Sequence, residues 1–393
     1  MAAVRSEPPR PEAPSRRLAG CSPPEAGASV DPSCQELGAA ELARVLGTSE
    51  EPVLLDVREP DEVATWSIPR ILNIPLGELA DRWRELPDDR TVVVICASGQ
   101  RSGRATRFLR SMGRDARNLA GGMAAWGRVY DTASFEAGGA TVIQVRRRAK
   151  GCLSYVVAAG DEAFVVDPSV EVEVYTRLGS ALGWRITRVF DTHLHADHLS
   201  GARELSARTG ASLHLNPADH FEFDYLPLAD GESFPLPGGA EMSVAVLHTP
   251  GHTEGSTIYF VGPDAMLSGD TLFVDGVGRP DLAERAEEFA RSLHSSLHEK
   301  VLVLDDSVQV LPAHYGESVD VLPDVPVGAS LGELRTSLPP LALSREGFVE
   351  WACSRVIDKP PHYVEIIKTN MGRSAISPEA VHRLEAGPNR CSA

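Results

Sequence analysis

Apolar runs and amphipathic stretches alternate along the first third of the chain. Runs in which almost every residue is apolar predict buried strands at 52–57 and 91–95, and stretches with a period near 3.6 predict helices at 35–47, 76–86 and 103–112. This alternation is typical of a parallel sheet covered by helices. We therefore predict an α/β domain over residues 36–131, preceded by a proline-rich tail, 1–35, that we expect to be disordered.

The pattern changes beyond residue 131. Residues 132–140 have the composition of a linker, and strands and helices are then predicted at 141–145, 153–158, 163–168, 172–182, 186–190 and 199–209. The first three of these are consecutive strands, unlike anything before them. We predict a second domain over 138–315, followed by a C-terminal helical extension of that domain over 316–393.

The composition is acidic, with a formal net charge of −17 over 393 residues. This argues against a nucleic-acid or anionic membrane partner, because a phosphate surface would be repelled, and it leaves small molecules as the expected substrates. The six cysteines lack the paired spacings of a zinc ribbon or a secreted disulfide scaffold, which favours reduced thiols and a cytoplasmic location. We expect no secretory signal and no membrane span, because the apolar runs are too short.

Cys96 follows the second predicted strand and begins a turn that contains Gly99 and leads into a helix. At such a position the backbone N–H groups and the helix dipole favour an anion, so the thiolate is stabilised and nucleophilic. The alternative is a buried cysteine that only packs, which is the commonest fate of a free cysteine. We expect that fate for the other five, which are Cys21, Cys34, Cys152, Cys353 and Cys391.

The segment from about residue 37 to residue 129 resembles a rhodanese domain. The resemblance is carried by Asp56-Val57-Arg58-Glu59, by the C-x-x-G-x-R loop from Cys96 to Arg101, and by Leu119-Ala120-Gly121-Gly122-Met123-Ala124-Ala125-Trp126. It implies that Cys96 accepts a sulfane sulfur as a persulfide and that Arg101 takes part in catalysis. One departure is Trp66-Ser67-Ile68-Pro69-Arg70-Ile71, where the family usually shows a His-Ile-Pro-Gly-Ala type of sequence.

A dense cluster of potential metal ligands follows the strand predicted at 186–190, in the order His193, His195, Asp197 and His198. Three imidazoles and a carboxylate at a strand end predict half of a metal site. Three later turns that follow short apolar runs carry further potential ligands, namely His252, Asp270 and His314. Because strand-end loops can bring ligands together from distant parts of a chain, we expect these side chains to converge.

The ordered motifs H-x-H-x-D-H, P-G-H-T, G-D-T and A-H resemble the metallo-β-lactamase fold from about residue 141 to residue 314. The resemblance implies an αββα sandwich. The whole chain is then α/β, a rhodanese-like parallel-sheet α/β/α domain followed by this sandwich. The ligands implied are His193, His195 and His252 for one metal and Asp197, His198 and His314 for a second, with Asp270 able to bridge them.

Two groups of enzymes with this fold fit the motifs. Thiolester hydrolases of the glyoxalase-II (hydroxyacylglutathione hydrolase) type use two metals, here two Zn²⁺, to activate a water. Persulfide dioxygenases use one Fe(II) on a two-His, one-carboxylate face with open positions for O₂ and sulfur, which maps here to His193, His252 and Asp270. In that case Asp197 supports catalysis, and His195, His198 and His314 orient the ligands or hold a second metal.

The residues after Asp270 favour the dioxygenase. The stretch 274–282 resembles the Gly-x-Gly-Arg-x-Asp stretch of persulfide dioxygenases, whereas glyoxalase-II enzymes typically show aromatic residues after that arginine. Arg279 is then expected to bind a carboxylate of the thiol carrier in bidentate fashion. The alternative for Arg279 is a salt bridge at the rim of the site.

The two domains also agree chemically, because a rhodanese moves sulfane sulfur between thiosulfate, thiols and persulfides. The sequence therefore predicts a sulfur-metabolism enzyme that oxidises a low-molecular-weight thiol persulfide, glutathione persulfide by default, to sulfite at one Fe(II) per chain, with sulfurtransferase chemistry at Cys96. Two alternatives stay open: a dinuclear-zinc thiolester hydrolase fused to a rhodanese, and a sulfur carrier or sensor whose second domain only binds a partner.

The remaining histidines are expected outside the site. His294 and His298 are spaced i,i+4 in a predicted helix without accompanying carboxylate or cysteine ligands, so we expect them on an exposed helix face. Structural roles are expected for His214, His220, His248, His362 and His382.

Overall fold

A computed structural model describes residues 36–393 except 238–242, 281–284, 317, 356–358, 360, 361, 386 and 388–393, and it leaves the side chains at 378 and 382 undescribed. The predicted tail, three of the cysteines (Cys21, Cys34, Cys391), Asp281 and Leu282, and the side chain of His382 therefore lie outside the described residues. None of the helices in the described ranges combines the length and the apolar character that a membrane span requires.

The first part of the chain forms a five-stranded parallel sheet with helices on it. Its elements are β1 (Glu36–Leu37), α1 (Ala39–Val45), β2 (Val53–Asp56), α2 (Pro60–Thr65), β3 (Leu72–Asn73), α3 (Leu79–Arg82), β4 (Val92–Ile95), α4 (Gln100–Ser111), β5 (Ala116–Leu119) and α5 (Gly122–Trp126). The strand order is β1-β5-β4-β2-β3, and every pair is parallel. All residues of β2 and β4 are buried, because helices cover both faces of such a sheet.

The next part forms a seven-stranded mixed sheet. Its elements are β6 (Tyr130–Ala137), β7 (Ala140–Arg147), β8 (Cys152–Ala159), β9 (Glu162–Val166), α6 (Glu173–Leu182), β10 (Arg185–Phe190), α7 (Ala202–Thr209), β11 (Ser212–Leu215) and β12 (Leu226–Pro227). The strand order is β12-β11-β10-β9-β8-β7-β6, antiparallel from β6 to β9 and parallel from β9 to β12.

The linker predicted at 132–140 is wrong for most of its length. Residues 132–137 belong to β6, which pairs with β7 from Tyr130↔Arg147 to Ala137↔Ala140. The connection is a tight hairpin in which Gly138 and Gly139 both have positive φ, the conformation that a two-residue hairpin turn requires. The segment has the composition of a linker because β6 is a half-buried edge strand with many small and polar residues.

The remaining strands form a six-stranded sheet, and helices follow them to the end of the described chain. These elements are β13 (Ser233–Pro235), β14 (Ser243–His248), β15 (Thr257–Val261), β16 (Ala265–Gly269), α8 (Ala286–Ser295), β17 (Gln309–Pro312), β18 (Ala329–Ser330), α9 (Leu331–Ser337), α10 (Arg345–Ser354), α11 (Tyr363–Asn370) and α12 (Pro378–Leu384). The strand order is β13-β14-β15-β16-β17-β18, with only the β16–β17 pair parallel.

The two mixed sheets face each other across a hydrophobic core that contains Tyr155, Phe164, Phe190 and Tyr259. The outer face of the seven-stranded sheet packs on α6 and α7, and the outer face of the six-stranded sheet packs on α8, α9 and α10. The layers are therefore helix, sheet, sheet, helix, which confirms the predicted αββα sandwich behind an α/β domain.

One prediction about a helix face is wrong. His294 is buried, packs on the ring of Phe348 and stacks on His298, with 4.0 Å between the two imidazole centroids. The chain after α8 continues as a π-helical segment, Ser296–Val301. The i,i+4 spacing of a regular α-helix therefore does not predict which side chains share a face there. The helices of the C-terminal extension cover this region.

Candidate metal centre

The loop after β10 carries the first potential ligands and is fixed by two buried carboxylates. Asp167 accepts hydrogen bonds from the backbone N–H (2.6 Å) and the hydroxyl (2.9 Å) of Thr192. Asp219 accepts a hydrogen bond from the backbone N–H of Leu194 at 2.7 Å. His193 is held between these two anchors, so its ring has little freedom to move.

Hydrogen bonds also determine which nitrogen of each imidazole carries a proton. The Thr192 hydroxyl donates to Asp167, so it accepts from His193 Nδ1 (2.9 Å). The backbone carbonyl of Arg279 can only accept, so His252 Nδ1 donates to it (2.9 Å). Both imidazoles therefore present an unprotonated Nε2.

These two nitrogens face one oxygen of Asp270. Asp270 Oδ2 lies 3.6 Å from His193 Nε2 and 3.5 Å from His252 Nε2. All three atoms are buried and have no hydrogen-bond partner. Three lone-pair donors that face one point without a proton between them are costly to bury unless a cation binds there. His193, His252 and Asp270 therefore fit a metal ion, and the two-nitrogen, one-oxygen donor set suits iron(II).

The electrostatics of this group agree with the geometry. Burial lowers the pKa of both His193 and His252, which keeps the two imidazoles neutral. Although burial alone would raise it, the pKa of the Asp270 carboxyl is lowered by the positive charge of His314 and by the hydrogen bond that His314 donates. Neutral imidazoles and an ionised carboxylate are the forms that bind metals.

A second buried group lies beside the first and consists of Cys152, Asp197, His198 and His314. Asp197 lies 3.0 Å from His198 Nδ1 and 3.1 Å from His314 Nε2, and Cys152 Sγ lies 4.0 Å from Asp197 Oδ2. Despite burial, the negative charge of Cys152 raises the pKa of His198 to about 10. Asp197 and His198 form an ion pair, whereas His314 Nε2, like the facing atoms of the first group, is buried without a hydrogen-bond partner.

Cys152 is the member of this group that sequence reasoning missed. It was expected only to pack, but backbone pairing between the start of β8 and the end of β17 places it opposite His314, with the N–H of Leu153 donating to the Ala313 carbonyl at 2.7 Å. Although burial opposes ionisation, the charges of His198 and His314 lower the pKa of the Cys152 thiol to about 6. Only the fold brings Cys152 to residues so distant in sequence.

His195 lies between the two groups. Its ring centroid is 4.2 Å from that of His193 and 4.2 Å from that of His198. His195 Nε2 donates to Asp167 Oδ1 at 3.1 Å, which leaves Nδ1 buried without a partner. His195 is thus oriented by a carboxylate, as metal-binding imidazoles usually are, and Asp191 lies beside it as a third member of a small acidic group.

Arg279 is buried, with 1% of its surface exposed. Its backbone orients His252, as described above. The preceding Gly278 packs so closely that a Cβ atom there would lie 2.0 Å from the Asp270 carbonyl oxygen. The G-x-G-R sequence therefore shapes the metal group itself; Asp281 and Leu282, which belong to the same predicted motif, lie outside the described residues.

Cys96 lies in the first domain at the end of β4, with its sulfur inside a cradle of donors. The N–H of Gly99 and the hydroxyl of Ser102 each lie 3.1 Å from Cys96 Sγ. Burial opposes ionisation, but these hydrogen bonds lower the pKa of the Cys96 thiol. The loop packs against α5 so tightly that a Cβ on Gly122 would lie 2.2 Å from the Cys96 carbonyl oxygen. This arrangement favours a nucleophilic thiolate.

Arg101, the other predicted catalytic residue of this loop, makes a bidentate ion pair with Glu62 at 2.6 Å for each contact. Arg58 of the Asp56-Val57-Arg58-Glu59 motif is buried, pairs with Asp56 at 2.7 Å and donates to the Trp66 carbonyl. The Trp66 indole in turn donates to the Ala149 carbonyl at 2.9 Å. The segment that departs from the usual rhodanese sequence thus contacts the second domain.

Comparisons with known proteins agree with these two domains. The sequence pattern of the rhodanese-like domain matches residues 39–128, and that of the metallo-beta-lactamase superfamily matches residues 147–314. An uncharacterised protein of Mycobacterium leprae (strain TN) is 33% identical over 193 residues, which are 42% of this chain and 86% of the relative. The chain belongs to the metallo-beta-lactamase superfamily. Its superfamily domain follows a rhodanese-like domain, as the motifs predicted.

Two further relatives are named as enzymes that catalyse different reactions. Persulfide dioxygenase ETHE1 from Bos taurus is 29% identical over 229 residues, covering 56% of this chain and 84% of the relative. A hydroxyacylglutathione hydrolase of Acidiphilium cryptum (strain JF-5) is 35% identical over 180 residues, covering 45% and 69% respectively. The crystal structure of ETHE1 from Myxococcus xanthus superposes with a TM-score of 0.51 at 24% identity, covering 63% of this chain and all (100%) of that one, which shows a shared fold.

Proposed function

We propose that the chain is a persulfide dioxygenase with a sulfurtransferase domain. A low-molecular-weight thiol persulfide, glutathione persulfide by default, reacts with O₂ and water to give sulfite and the free thiol. The reaction takes place at one Fe(II) held by His193, His252 and Asp270. The rhodanese-like domain moves sulfane sulfur through Cys96.

The observation that carries this proposal is the set of three unpaired lone-pair atoms, two nitrogens and one oxygen, that face one point in a buried group. A two-His, one-carboxylate face is the donor set of non-haem iron oxygenases. The relative named persulfide dioxygenase supports the same choice. In the second group Asp197 and His198 are already paired with each other, which supports a single metal, whereas His314 Nε2 is buried without a hydrogen-bond partner.

Each protein residue has a defined task in this proposal. Bound Fe(II) supplies open positions at which O₂ and the substrate sulfur meet. Asp167, through Thr192, fixes the tautomer of His193, the Arg279 carbonyl fixes that of His252, and His314 Nδ1 donates to Asp270 Oδ1 at 2.7 Å. His198, whose pKa is raised, holds a proton beside the site and pairs with the ionised Asp197 carboxylate, and the burial of all these side chains excludes bulk water.

Two residues connect the substrate to the protein. The Arg279 guanidinium is proposed to bind a carboxylate of the thiol carrier, which a fork of N–H donors recognises in bidentate fashion. The Cys96 thiolate attacks the outer sulfur of a sulfane donor such as thiosulfate, releases sulfite and keeps the sulfur as a persulfide. A thiol acceptor then takes that sulfur and becomes the substrate of the metal site.

The decisive experiment measures metal content and oxygen consumption together. Protein purified without air is loaded with iron, and glutathione persulfide is added in an oxygen electrode with sulfite as the second readout. One iron per chain with one sulfite formed per O₂ consumed is expected. A Cys96→Ser variant should keep this activity with glutathione persulfide and lose activity that starts from thiosulfate and glutathione.

The competing function is a dinuclear-zinc thiolester hydrolase, which the hydrolase relative and the proximity of Asp197, His198 and His314 to the first group both favour. Two zinc ions per chain, hydrolysis of lactoyl-glutathione and no oxygen uptake would establish that function and overturn the dioxygenase. A sulfur carrier or sensor would instead show persulfide on Cys96 with turnover unaffected by His252→Ala.

A further inference from the structure

The C-terminal extension contacts the backbone of the metal-binding loop through two buried side chains, Asn370 at the end of α11 and Glu385 just after α12. Both residues lie at least 170 positions away from the loop in sequence, and neither belongs to any motif of the site. The loop itself connects β10 to α7. Its residues 195–200 therefore depend strongly on side chains for their backbone hydrogen bonds.

Asn370 uses both ends of its amide on this loop. Its Nδ2 donates to the carbonyl oxygens of His195 (2.9 Å) and His198 (2.8 Å), and its Oδ1 accepts from the N–H of Ser200 (3.0 Å). A single buried side chain thus fixes the backbone on both sides of Asp197. Among uncharged side chains, only the amides of Asn and Gln offer two donors together with an acceptor, and Gln is the longer of the two.

Glu385 holds the backbone of Leu199, the residue after His198. Its Oε1 accepts from the N–H of Leu199 at 2.6 Å, and its Oε2 pairs with Arg147, the last residue of β7. Arg147 also donates from Nε and Nη2 to the carbonyl of Gly127, each at 3.3 Å. Gly127 directly follows α5, the helix whose first turn packs on the Cys96 loop. One chain of contacts therefore leads from the rhodanese-like domain to the metal loop.

The two halves of the loop have different supports. Asp167 and Asp219, from the core of the superfamily domain, hold the backbone at Thr192 and Leu194. Asn370 and Glu385 hold it from His195 to Ser200. The position of His195, Asp197 and His198 relative to His193 consequently depends on both sets of contacts.

We propose that Asn370 and Glu385 are positioning residues that hold the metal-binding loop in its ligating form, and that Arg147 makes this support depend on the rhodanese-like domain. The proposal rests on the metal site of the proposed function but not on its oxidative chemistry. A zinc hydrolase would use the same support. Loss of the support weakens metal binding even though every metal ligand is still present.

The test measures the affinity of the full chain for iron(II), by competition with a chromophoric chelator, and the visible spectrum of the cobalt(II)-loaded protein. Asn370→Asp keeps the size of the side chain and the acceptor for Ser200 but replaces both donors with an oxygen that repels the two carbonyls. We expect roughly tenfold weaker iron binding, the lower end of the range found when an outer partner of a metal ligand is lost, because Asn370 holds the backbone beyond His193 rather than a proposed iron ligand. The cobalt bands should also be altered. Asn370→Ala should behave similarly.

Glu385→Gln can still accept from Leu199 but loses the ion pair with Arg147, so a smaller loss of affinity is expected than for Asn370→Asp. Arg147→Lys keeps the charge but cannot serve Glu385 and Gly127 together, and it should resemble Glu385→Gln. Asn370→Gln keeps the amide group. If it binds iron more tightly than Asn370→Asp, Asn370 acts by positioning the loop backbone and not only by packing.

Glu365→Gln is the matched control, because Glu365 on α11 pairs with Arg383 on α12 at the surface and does not touch the loop. Lys368→Ala, exposed on α11, controls for changes to that helix. Both should bind iron within twofold of the unmodified chain. Unchanged affinity in Asn370→Asp and Glu385→Gln, or an equal loss in Glu365→Gln, would overturn the proposal. If these variants lose affinity and the unmodified chain takes up no oxygen, the dioxygenase function is overturned but the positioning role is not.

Discussion

His314 and Asp270 are joined by a 2.7 Å hydrogen bond from imidazole Nδ1 to carboxylate Oδ1. The bond occupies one oxygen of Asp270 and leaves the other, Oδ2, directed at His193 and His252. A carboxylate with one oxygen on a donor and one free is oriented for a single metal ion. The same bond links the two buried groups, since His314 also contacts Asp197.

Replacement of His314 by Ala should therefore weaken iron binding although His193, His252 and Asp270 all remain. Asp270 would lose the donor that fixes its orientation, and a loss of roughly tenfold to a hundredfold in affinity is expected for such a partner. Competition with a chelator measures it. His314→Gln, which can still donate to Asp270, should retain more affinity than His314→Ala, and equal affinity in both would contradict this role.

Replacement of His252 by Ala removes a proposed ligand and should abolish both iron binding and oxygen uptake. The loss should exceed about a hundredfold in affinity, the upper end for an outer partner, because a coordinating nitrogen itself is missing. Elemental analysis and the oxygen electrode provide the readouts. His220→Ala is the control, because the His220 side chain is exposed and pairs with Glu254 at the surface. A variant at His252 that kept one iron per chain would exclude His252 as a ligand.

The proposed ligands, His193, His252 and Asp270, could be found from the sequence because each lies in a short motif at a strand end. The residues that contact and support these ligands could not be found from the sequence. Cys152 meets His314 through backbone pairing across 162 positions, and Asn370 and Glu385 reach the loop from beyond residue 369. Such contacts depend on how the layers stack, and local periodicity contains no information about that.

Replacement of Arg58 by Met should destabilise the rhodanese-like domain strongly. Arg58 and Asp56 are both buried, and without the guanidinium the Asp56 carboxylate would be left as an unpaired buried charge, at a cost of about 3–5 kcal/mol. The variant should also release the Trp66 carbonyl at the contact between the domains. Denaturant unfolding followed by tryptophan fluorescence checks this.

Arg82→Met is the control for Arg58→Met, because Arg82 forms its ion pairs with Glu78 and Glu85 at the surface. Its unfolding midpoint should match that of the unmodified chain, since exposed ion pairs contribute little. An equal midpoint for Arg58→Met would show that the buried pair does not stabilise the domain.

The fold could be predicted where the hydrophobic pattern of the sequence is strong, and the prediction failed where that pattern is weak. The buried strands β2 and β4, which are apolar except for Asp56, were placed to within one residue at each end, because buried parallel strands have a nearly continuous apolar composition. The half-buried β6, with Thr132, Ser134 and Glu136 exposed, resembled a linker. His294 was assigned to an exposed face because nothing in the sequence announces that α10 packs over α8.

Replacement of Ser102 by Ala should shift the reactivity of Cys96 to higher pH. The Ser102 hydroxyl stabilises the thiolate, so its removal raises the pKa of the Cys96 thiol; because the thiolate is the reactive form, the acid limb of the pH–rate profile moves upwards. A hydrogen bond to a charged group predicts about tenfold slower alkylation by iodoacetamide near neutral pH. Mass spectrometry of the Cys96 peptide separates this from reaction at the other five cysteines. Ser111→Ala, an exposed change on α4, should leave the profile in place, and an unshifted profile in Ser102→Ala would mean that the backbone N–H groups alone set the pKa.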